Sequence, residues 1–159
     1  MDYANPKNIE IIGAYKYKFV EKLAQPLSEI MIANILQLNL NEFFKEFTII
    51  PVPLHKKRFL WRGFNQSEIL ALELAKKLGL SMEKDIVVRS RFTKPQTKLN
   101  SAQRQSNIKN AFEVNKTLKP TKILIVDDVF TTGATVNEIA RILKQNGAKD
   151  VWALTLAHG

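Results

Sequence analysis

The hydrophobic positions of the chain follow helical spacing in some segments and form short unbroken runs in others. Apolar residues recur every three or four positions in three segments, 17–38, 65–78 and 135–145, and such spacing predicts amphipathic helices. Short, mostly apolar runs occupy four others, 47–52, 86–89, 123–126 and 151–156, and these predict strands. The uniformly apolar run 123–126 is typical of a strand buried in a parallel sheet. Because strands alternate with helices, we expect an α/β fold with a mostly parallel sheet flanked by helices.

Polar and turn-forming residues set the limits of these elements. Pro26 interrupts the first helical segment, so it either starts a second helix or kinks the first. Asn65 is the predicted cap of the next helix, with Glu68 three residues later. Asn146 and Gly147 terminate the last predicted helix after Gln145. The polar segment 93–110 has no period and is predicted to be a long loop, either a lid over a ligand or a disordered surface segment.

The segment 123–135, with the sequence ILIVDDVFTTGAT, carries the clearest chemical signal. Its apolar run ends at Asp127 and Asp128, at the carboxyl end of a predicted parallel strand, where open α/β folds place their ligands. Gly133 and the threonine hydroxyls around it, followed by the positive end of a helix, suit a phosphate group. The carboxylates would repel that phosphate unless they face sugar hydroxyls or a divalent cation. The segment therefore predicts a site for a phosphorylated sugar, and an ordinary turn between strand and helix is the alternative.

This segment resembles the phosphoribosyl pyrophosphate signature of type I phosphoribosyltransferases, whose Rossmann-like fold is therefore expected. The resemblance implies that Asp127 and Asp128 contact the ribose hydroxyls and that the following loop binds the 5′-phosphate. It also implies Mg²⁺ as the cofactor, held through the substrate, with the same two carboxylates as further candidate ligands. The full set expected to bind ribose and 5′-phosphate is Asp127, Asp128, Val129, Phe130, Thr131, Thr132, Gly133, Ala134 and Thr135.

Two further segments resemble the ComF family. Residues 50–66 read IPVPLHKKRFLWRGFNQ, and residues 89–112 read RSRFTKPQTKLNSAQRQSNIKNAF. ComF-family proteins are associated with DNA uptake during natural competence, so phosphoribosyl pyrophosphate, single-stranded DNA and other competence proteins are the expected partners. The family usually carries a zinc module with paired cysteines. This chain has no cysteine and only His55 and His158 as histidines, so a four-ligand zinc site is not expected.

The resemblance to type I phosphoribosyltransferases assigns roles to both segments. Pro51 and Pro53 stiffen the end of a predicted strand, so that backbone N–H groups there can meet a ligand. By resemblance this stretch is the pyrophosphate loop, formed by Val52, Pro53, Leu54, His55, Lys56, Lys57 and Arg58. In these enzymes a mobile loop closes over the site, and its candidate members here are Lys94, Gln96, Arg104 and Asn107. Arg62 and Asn65 either contact a second substrate or only cap a helix.

The net charge of +9 is concentrated in two segments without acidic residues, 47–67 and 86–112. These two segments hold ten of the 24 basic residues, so the rest of the chain has 14 basic and 15 acidic residues. Such clusters suit a substrate with a pyrophosphate group or DNA, and solvated loops are the simpler alternative. Phe59 and Trp61 lie among the basic residues, as in proteins that stack single-stranded bases. Aromatic residues at a strand end are more commonly core residues, as Phe64 is expected to be.

The 159 residues predict a single domain (1–159) with a core that needs no disulfide. The polar N-terminal residues predict no signal peptide, and no apolar stretch is long enough to span a bilayer, so a cytoplasmic protein is expected. The oligomeric state stays open. Three functions remain open as well: a competence factor in DNA import, a metabolic phosphoribosyltransferase, and a regulator that binds phosphoribosyl pyrophosphate without turnover. In an enzyme, a nucleobase or amine acceptor would displace pyrophosphate from the ribose C1.

Overall fold

The computed structural model describes residues 1–17, 21–93 and 100–159. The helices in this part of the chain are α1 (Pro6–Tyr17), α2 (Ala24–Gln37), α3 (Asn41–Phe44), α4 (Lys56–Arg62), α5 (Gln66–Leu78), α6 (Ser101–Ile108) and α7 (Ala134–Gln145), with a 3-10 turn at Glu21–Leu23. The strands are β1 (Thr48–Pro51), β2 (Ser81–Met82), β3 (Val87–Arg89), β4 (Phe112–Val114), β5 (Lys122–Phe130) and β6 (Asp150–His158).

A parallel sheet with the strand order β2, β1, β5, β6 forms the centre of the molecule. β1 pairs with β5 from Thr48 opposite Ile123 to Pro51 opposite Val126, and β6 pairs with the other side of β5. β3 and β4 form a separate antiparallel pair. The predicted mostly parallel sheet flanked by helices is confirmed.

Hydrophobic cores lie on both faces of the sheet because its central strand is apolar at successive positions. Along β5, Leu124 and Val126 pack into a core with α2 and α5, whereas Ile123 and Ile125 pack into a second core with α7. Each of these four side chains is 0% exposed. Successive side chains of a strand point to opposite faces, so a strand covered on both faces must be apolar throughout. This continuous apolar run ends where β5 reaches Asp127.

The acidic residues lie inside β5 rather than after it. The prediction that this strand ends at Val126 is wrong, because β6 continues to pair with β5 as far as Phe130 opposite His158. Strand pairing therefore fixes the backbone of Asp127 and Asp128. The sequence pattern misses this extension because the last residues of β5 are not a simple apolar run.

Two helices, α4 and α6, occupy segments that the sequence predicts to be loops. α4 begins after His55, whose Nδ1 accepts a hydrogen bond from the backbone N–H of Lys57 (3.1 Å). α6 begins after Asn100, which forms a capping box with Gln103. The loop prediction for 93–110 is therefore wrong over Ser101–Ile108. Neither helix has a clear apolar stripe, so its cap is the better sequence signal.

The helices predicted over 65–78 and 135–145 are confirmed, with each start displaced by one residue. The segment predicted to be helical over 17–38 forms α2 only from Ala24 to Gln37, after the 3-10 turn. Pro26 is the third residue of α2. The N–H groups in the first turn of a helix have no intrahelical acceptor, so the helix loses no hydrogen bond because of the proline. Asn65 caps α5 by accepting a hydrogen bond from the backbone N–H of Ser67 (3.2 Å). Glu68, the expected capping-box partner, instead forms an ion pair with Lys84 (3.1 Å). Within the described residues, no helix has both the length and the apolar character that crossing a membrane requires.

Candidate functional site

A cavity of about 160 Å³ lies at the carboxyl end of β5. The acidic residues of β5, the loop after it and the first turn of α7 form one part of its wall. Cationic and amide side chains from α1, α4, α5 and α6 form another part: Lys16, Arg58, Arg62, Gln66 and Arg104. Residues far apart in the sequence thus meet at the edge of the sheet where α/β folds place their ligands.

The two carboxylates at the base of this cavity are almost completely buried. Asp127 is 8% exposed and Asp128 is 4% exposed. Oδ1 of Asp127 accepts hydrogen bonds from the Ser67 hydroxyl (2.9 Å) and from the backbone N–H of Asp128 (2.9 Å). Ser67 lies in the first turn of α5, so this helix fixes the orientation of the carboxylate.

Asp128 is held by a different set of donors. Its Oδ2 lies 2.9 Å from the ammonium of Lys16 and 3.0 Å from Nε2 of Gln66. The carbonyl oxygen of the Gln66 side chain accepts a hydrogen bond from Arg62, and the backbone carbonyl of Gln66 accepts one from the Tyr15 hydroxyl (2.8 Å). α1 and the first turn of α5 are therefore joined at the acidic pair.

Burial and charge shift the protonation of this group of residues. Burial, reinforced by the Asp128 carboxylate, raises the pKa of Asp127 from 3.8 to about 7. Burial by itself favours the neutral amine of Lys16, but the Asp128 carboxylate outweighs it and raises the pKa of Lys16 above its ordinary value. Lys16 is thus a charged partner inside the site.

The loop between β5 and α7 turns through a glycine that no other residue can replace without strain. Gly133 has φ 71°, and a Cβ there would lie 2.8 Å from Cζ of Phe130 and 3.0 Å from Nδ2 of Asn137. The residue precedes α7 without a side-chain cap for its first N–H groups. Gly133, Ala134 and Thr135 all line the cavity. The start of α7 therefore presents backbone donors to the cavity.

The predicted loop residues do not all face the cavity. Thr131 and Thr135 line it, together with Val129, Phe130 and Ala134. Thr132 instead lines a separate cleft between α6 and α7, and its buried hydroxyl oxygen has no hydrogen-bond partner among the residues that the structure describes.

The predicted pyrophosphate loop is divided between an extended stretch and α4. The backbone N–H of Val52 continues the pairing of β1 by donating to Val126 (2.9 Å). Pro53 follows, and Leu54 and Arg58 reach the cavity wall. His55 caps α4, and burial, with the positive charges of neighbouring basic residues, lowers its pKa. The remaining two members, Lys56 and Lys57, are exposed in the first turn of α4 and do not line the cavity.

The predicted mobile-loop residues have different positions. Lys94 and Gln96 lie outside the described residues. Arg104 projects from α6 to the cavity wall. Asn107 lies farther along α6, where its backbone carbonyl accepts a hydrogen bond from Arg91 (2.9 Å).

Two arginines from different segments converge on Thr93. Arg58 donates to its backbone carbonyl (2.8 Å), and Arg89 donates to its hydroxyl. Burial, with the positive charge of Arg58, lowers the pKa of Arg89 to about 10. The side chain of the adjacent Phe92 lies under Arg58 and Lys57, with cation-to-centroid distances of 5.7 and 5.5 Å. Basic side chains from the two acid-free segments, Arg58 and Arg89, thus lie close together beside the cavity.

The acidic pair is suited to a hard divalent cation but does not form a complete metal site. Carboxylate oxygens are the ligands that Mg²⁺ prefers, and Mg²⁺ commonly takes its remaining ligands from phosphates and water. In the part of the chain that the structure describes, no cluster of three or more His, Cys, Asp or Glu side chains could hold a metal. The residues therefore fit a cation that enters with a phosphorylated ligand.

Sequence reasoning missed Lys16, Gln66 and Ser67, which hold the acidic pair in place. Each comes from a helix end whose own sequence carries no motif for anions or metals. The polar residues directly after Asn65 at the start of α5 were the available signal, because a buried helix start next to a parallel strand can reach the edge of the sheet.

Comparison with known proteins relates the chain to one family. Residues 65–159 match the phosphoribosyl transferase domain model. The DNA utilization protein YhgH of Escherichia coli O157:H7 is 36% identical over 156 residues, which span 96% of this chain and 68% of that protein. Competence protein F of Haemophilus influenzae is 40% identical over 114 residues, which span 69% of this chain and 50% of that protein.

Solved structures show the same fold at low identity. A purine phosphoribosyltransferase from Pyrococcus horikoshii matches with a TM-score of 0.50 and 18% identity, over 83% of this chain and 72% of that one. A hypoxanthine phosphoribosyltransferase from Staphylococcus aureus matches with a TM-score of 0.50 and 14% identity, over 87% of this chain and 64% of that one. These matches describe the architecture, because the identities are too low to carry substrate preference.

Proposed function

The chain belongs to the phosphoribosyl transferase domain family and, within it, to the ComF-family competence proteins, and from this premise we propose that it binds phosphoribosyl pyrophosphate together with Mg²⁺. One observation carries the proposal: a single cavity is lined both by Asp127 and Asp128 and by the loop residues Thr131 and Thr135. One small ligand could therefore contact the two carboxylates with its sugar and the loop with its phosphate.

Each part of the ligand has a matching part of the cavity. The ribose hydroxyls donate to the carboxylates of Asp127 and Asp128, while the 5′-phosphate accepts hydrogen bonds from the start of α7. The pyrophosphate group lies toward Arg58 and Arg104, two cations that line the same cavity. Mg²⁺, when bound, neutralises phosphate charge and would be held on the protein side by the acidic pair.

Ligand-dependent melting tests this proposal. Phosphoribosyl pyrophosphate with Mg²⁺ should raise the Tm of the wild-type protein, because a ligand that binds only the folded state stabilises it by mass action. The double variant Asp127→Asn, Asp128→Asn should fold and lose the Mg²⁺-dependent part of that increase. A matched double variant at exposed acidic residues, Asp85→Asn with Asp150→Asn, should keep it. An unchanged melting shift in the first double variant would remove the carboxylates from the site.

Binding and catalysis are separate parts of the proposal. The enzymatic alternative is displacement of pyrophosphate from the ribose C1 by an amine or nucleobase, with Arg58 and Arg104 stabilising the leaving group. The non-catalytic alternative is a regulator that senses phosphoribosyl pyrophosphate. Release of pyrophosphate in the presence of pooled bases and amines favours the enzyme, and binding without release favours the regulator.

A role in handling DNA is the second candidate function. The competence and DNA utilization proteins named above suggest it, and one surface of this chain favours it. We call this surface the α4 surface; it consists of Lys56, Lys57, Phe59, Leu60 and Trp61. Phe59 and Trp61 are 45% and 63% exposed beside the two lysines. Exposed aromatic rings next to cations suit single-stranded nucleic acid, whose bases stack while its phosphates pair with the cations.

A further inference from the structure

The ammonium of Lys16 contacts Asp128 at a position that a bound metal ion would otherwise take. Its ammonium lies 2.9 Å from Oδ2 of Asp128, and its side chain is only 18% exposed. Gln66 donates to the same oxygen from 3.0 Å. Lys16 and Asp128 both line the cavity, so their ion pair borders the space assigned to the ligand.

The fold holds Lys16 in this position from both ends of α1. Before the helix, the backbone N–H of Tyr3 donates to His158 at the end of β6 (2.7 Å), and the N–H of His158 donates to Met1 (3.0 Å). At the other end, Tyr15 is fully buried and its hydroxyl donates to the backbone of Gln66 (2.8 Å). Lys16 is therefore a built part of the site rather than a surface lysine that reaches it.

A buried acidic pair needs a positive partner, and two cations that contact the same carboxylate oxygen repel each other strongly. Lys16 supplies that partner in the empty protein, because the unpaired charges would be costly to bury. A divalent ion at the same oxygen would face a strong repulsion from the ammonium. Lys16 and the metal therefore compete for Oδ2 of Asp128.

We propose that Lys16 is an internal cation that competes with divalent metal for Asp128 and so reserves the site for metal that arrives with a phosphorylated ligand. The proposal rests on the proposed function, since it concerns the same acidic pair. Metal alone offers Lys16 no new partner, whereas the phosphates of the metal–ligand complex do. Once displaced, the ammonium remains on the cavity wall and pairs with those phosphates. Lys16 is in this sense a specificity-determining residue.

Binding of Mn²⁺ alone, as a spectroscopic probe for Mg²⁺, tests the proposal without any phosphorylated ligand. Removing the charge in Lys16→Met or Lys16→Gln should tighten Mn²⁺ binding by about tenfold or more, since a unit charge a few ångströms away is removed. Lys16→Arg keeps the charge and should bind Mn²⁺ as weakly as the wild type. Adding Asp128→Asn to Lys16→Met should abolish the gain.

The matched control is Lys84→Met, which breaks a surface ion pair with Glu68 and should leave Mn²⁺ affinity unchanged. A purely structural lysine predicts a different pattern, in which Lys16→Met melts at a lower temperature and gains no affinity for the metal. Equal or weaker Mn²⁺ binding by both uncharged variants overturns the proposal. So does the absence of Mn²⁺ binding by every protein in the series.

A second measurement on the wild-type protein covers the case in which the variants do not fold. Amine acetylation followed by peptide mass spectrometry should label Lys16 slowly without ligand, while the exposed Lys7 on the same helix labels quickly. High concentrations of Mg²⁺ alone should accelerate labelling of Lys16 relative to Lys7 about fivefold or more, because the metal displaces the ammonium from Asp128. Unchanged relative labelling overturns the competition. A melting shift with phosphoribosyl pyrophosphate would in that case leave the proposed function standing.

Discussion

At the scale of single residues, Asp127 combines a functional position with a cost in stability. Its pKa is raised from 3.8 to about 7, first by burial and then by Asp128. Between about pH 4 and pH 7, the folded protein therefore keeps a proton that the unfolded chain has released. The free energy of unfolding must then fall as the pH rises through this range, and the loss is complete above it.

Asp127→Asn should remove this cost, because the amide stays neutral and its oxygen still accepts the hydrogen bond from Ser67. Without ligand at pH 8, we expect the free energy of unfolding of the variant to exceed that of the wild type by about 2 to 4 kcal/mol. Each unit of pKa shift corresponds to about 1.4 kcal/mol. At pH 4 the two proteins should be nearly equal. Denaturant titrations across this pH range measure the difference.

The exposed Asp150→Asn variant provides the control, since it removes a carboxylate at the start of β6 without touching the cavity. Its unfolding free energy should follow the wild-type profile. If the unfolding free energy of Asp127→Asn also follows the wild-type pH profile, burial does not raise the pKa of Asp127, and its carboxylate imposes no cost on folding.

The residues that support the acidic pair illustrate what a sequence can and cannot show at this scale. Asp127, Asp128 and Gly133 belong to one continuous motif, so their proximity follows from local geometry. Lys16 and Gln66 reach the same point only through tertiary packing of α1 and α5. A single lysine near the end of an ordinary helix carries no signal of its own, and its role becomes visible only when its partner is known.

At the scale of elements, the start of α7 is the part most sensitive to one added atom. Gly133→Ala places a methyl group 2.8 Å from the Phe130 ring at a φ of 71°. We expect a loss of about 1 kcal/mol or more in folding stability from the backbone conformation. We also expect a smaller melting shift with phosphoribosyl pyrophosphate and Mg²⁺, because the added methyl displaces the loop that binds the phosphate.

Gly79→Ala separates these two effects. Gly79 has φ 67° at the end of α5, and a Cβ there meets nothing within 4 Å. The Gly79→Ala variant should therefore lose a similar amount of folding stability, while its ligand-dependent melting shift should equal that of the wild type. Equal ligand responses in the two variants would show that the α7 loop tolerates displacement and does not cradle the phosphate.

The elements themselves divide by the origin of their stability. Hydrophobic patterning identifies three of the parallel strands, β1, β5 and β6, and the helices α2, α5 and α7, because they contain apolar runs or stripes. α4 and α6 bury little apolar surface of their own and start at polar caps, His55 and Asn100. β2 and β4 are two and three residues long, too short for any pattern to stand out from the chain around them. Periodicity therefore predicts the scaffold better than the elements that border the cavity.

At the scale of the whole molecule, folding brings basic side chains of the two acid-free segments together. Arg58 and Arg104, from the two acid-free segments, line the same cavity, and Arg58 and Arg89 share Thr93 as a hydrogen-bond partner. The sequence predicts that the positive charge is segregated. It does not predict that the two segments meet, because their contact depends on how β3 and α4 pack.

This concentrated charge makes the DNA hypothesis testable through its salt dependence. If the α4 surface contacts phosphates, the affinity for single-stranded DNA should fall with salt by a log–log slope of about 0.7 per contact. Lys56→Glu with Lys57→Glu should flatten that slope and weaken binding at low salt. Trp61→Ala should weaken binding without changing the slope, since a stacked ring releases no counterions.

The matched control is Lys76→Glu with Lys77→Glu, which makes the same charge change on the exposed last turn of α5. Net charge alone predicts that both double variants lose the same affinity, whereas a DNA site on the α4 surface predicts a loss confined to the first. Fluorescence anisotropy with a labelled oligonucleotide over a salt series distinguishes the two. If both behave alike, or if the wild type does not bind at low salt, the α4 surface is not a DNA site, and the basic segments serve the pyrophosphate of the ligand or a protein partner instead.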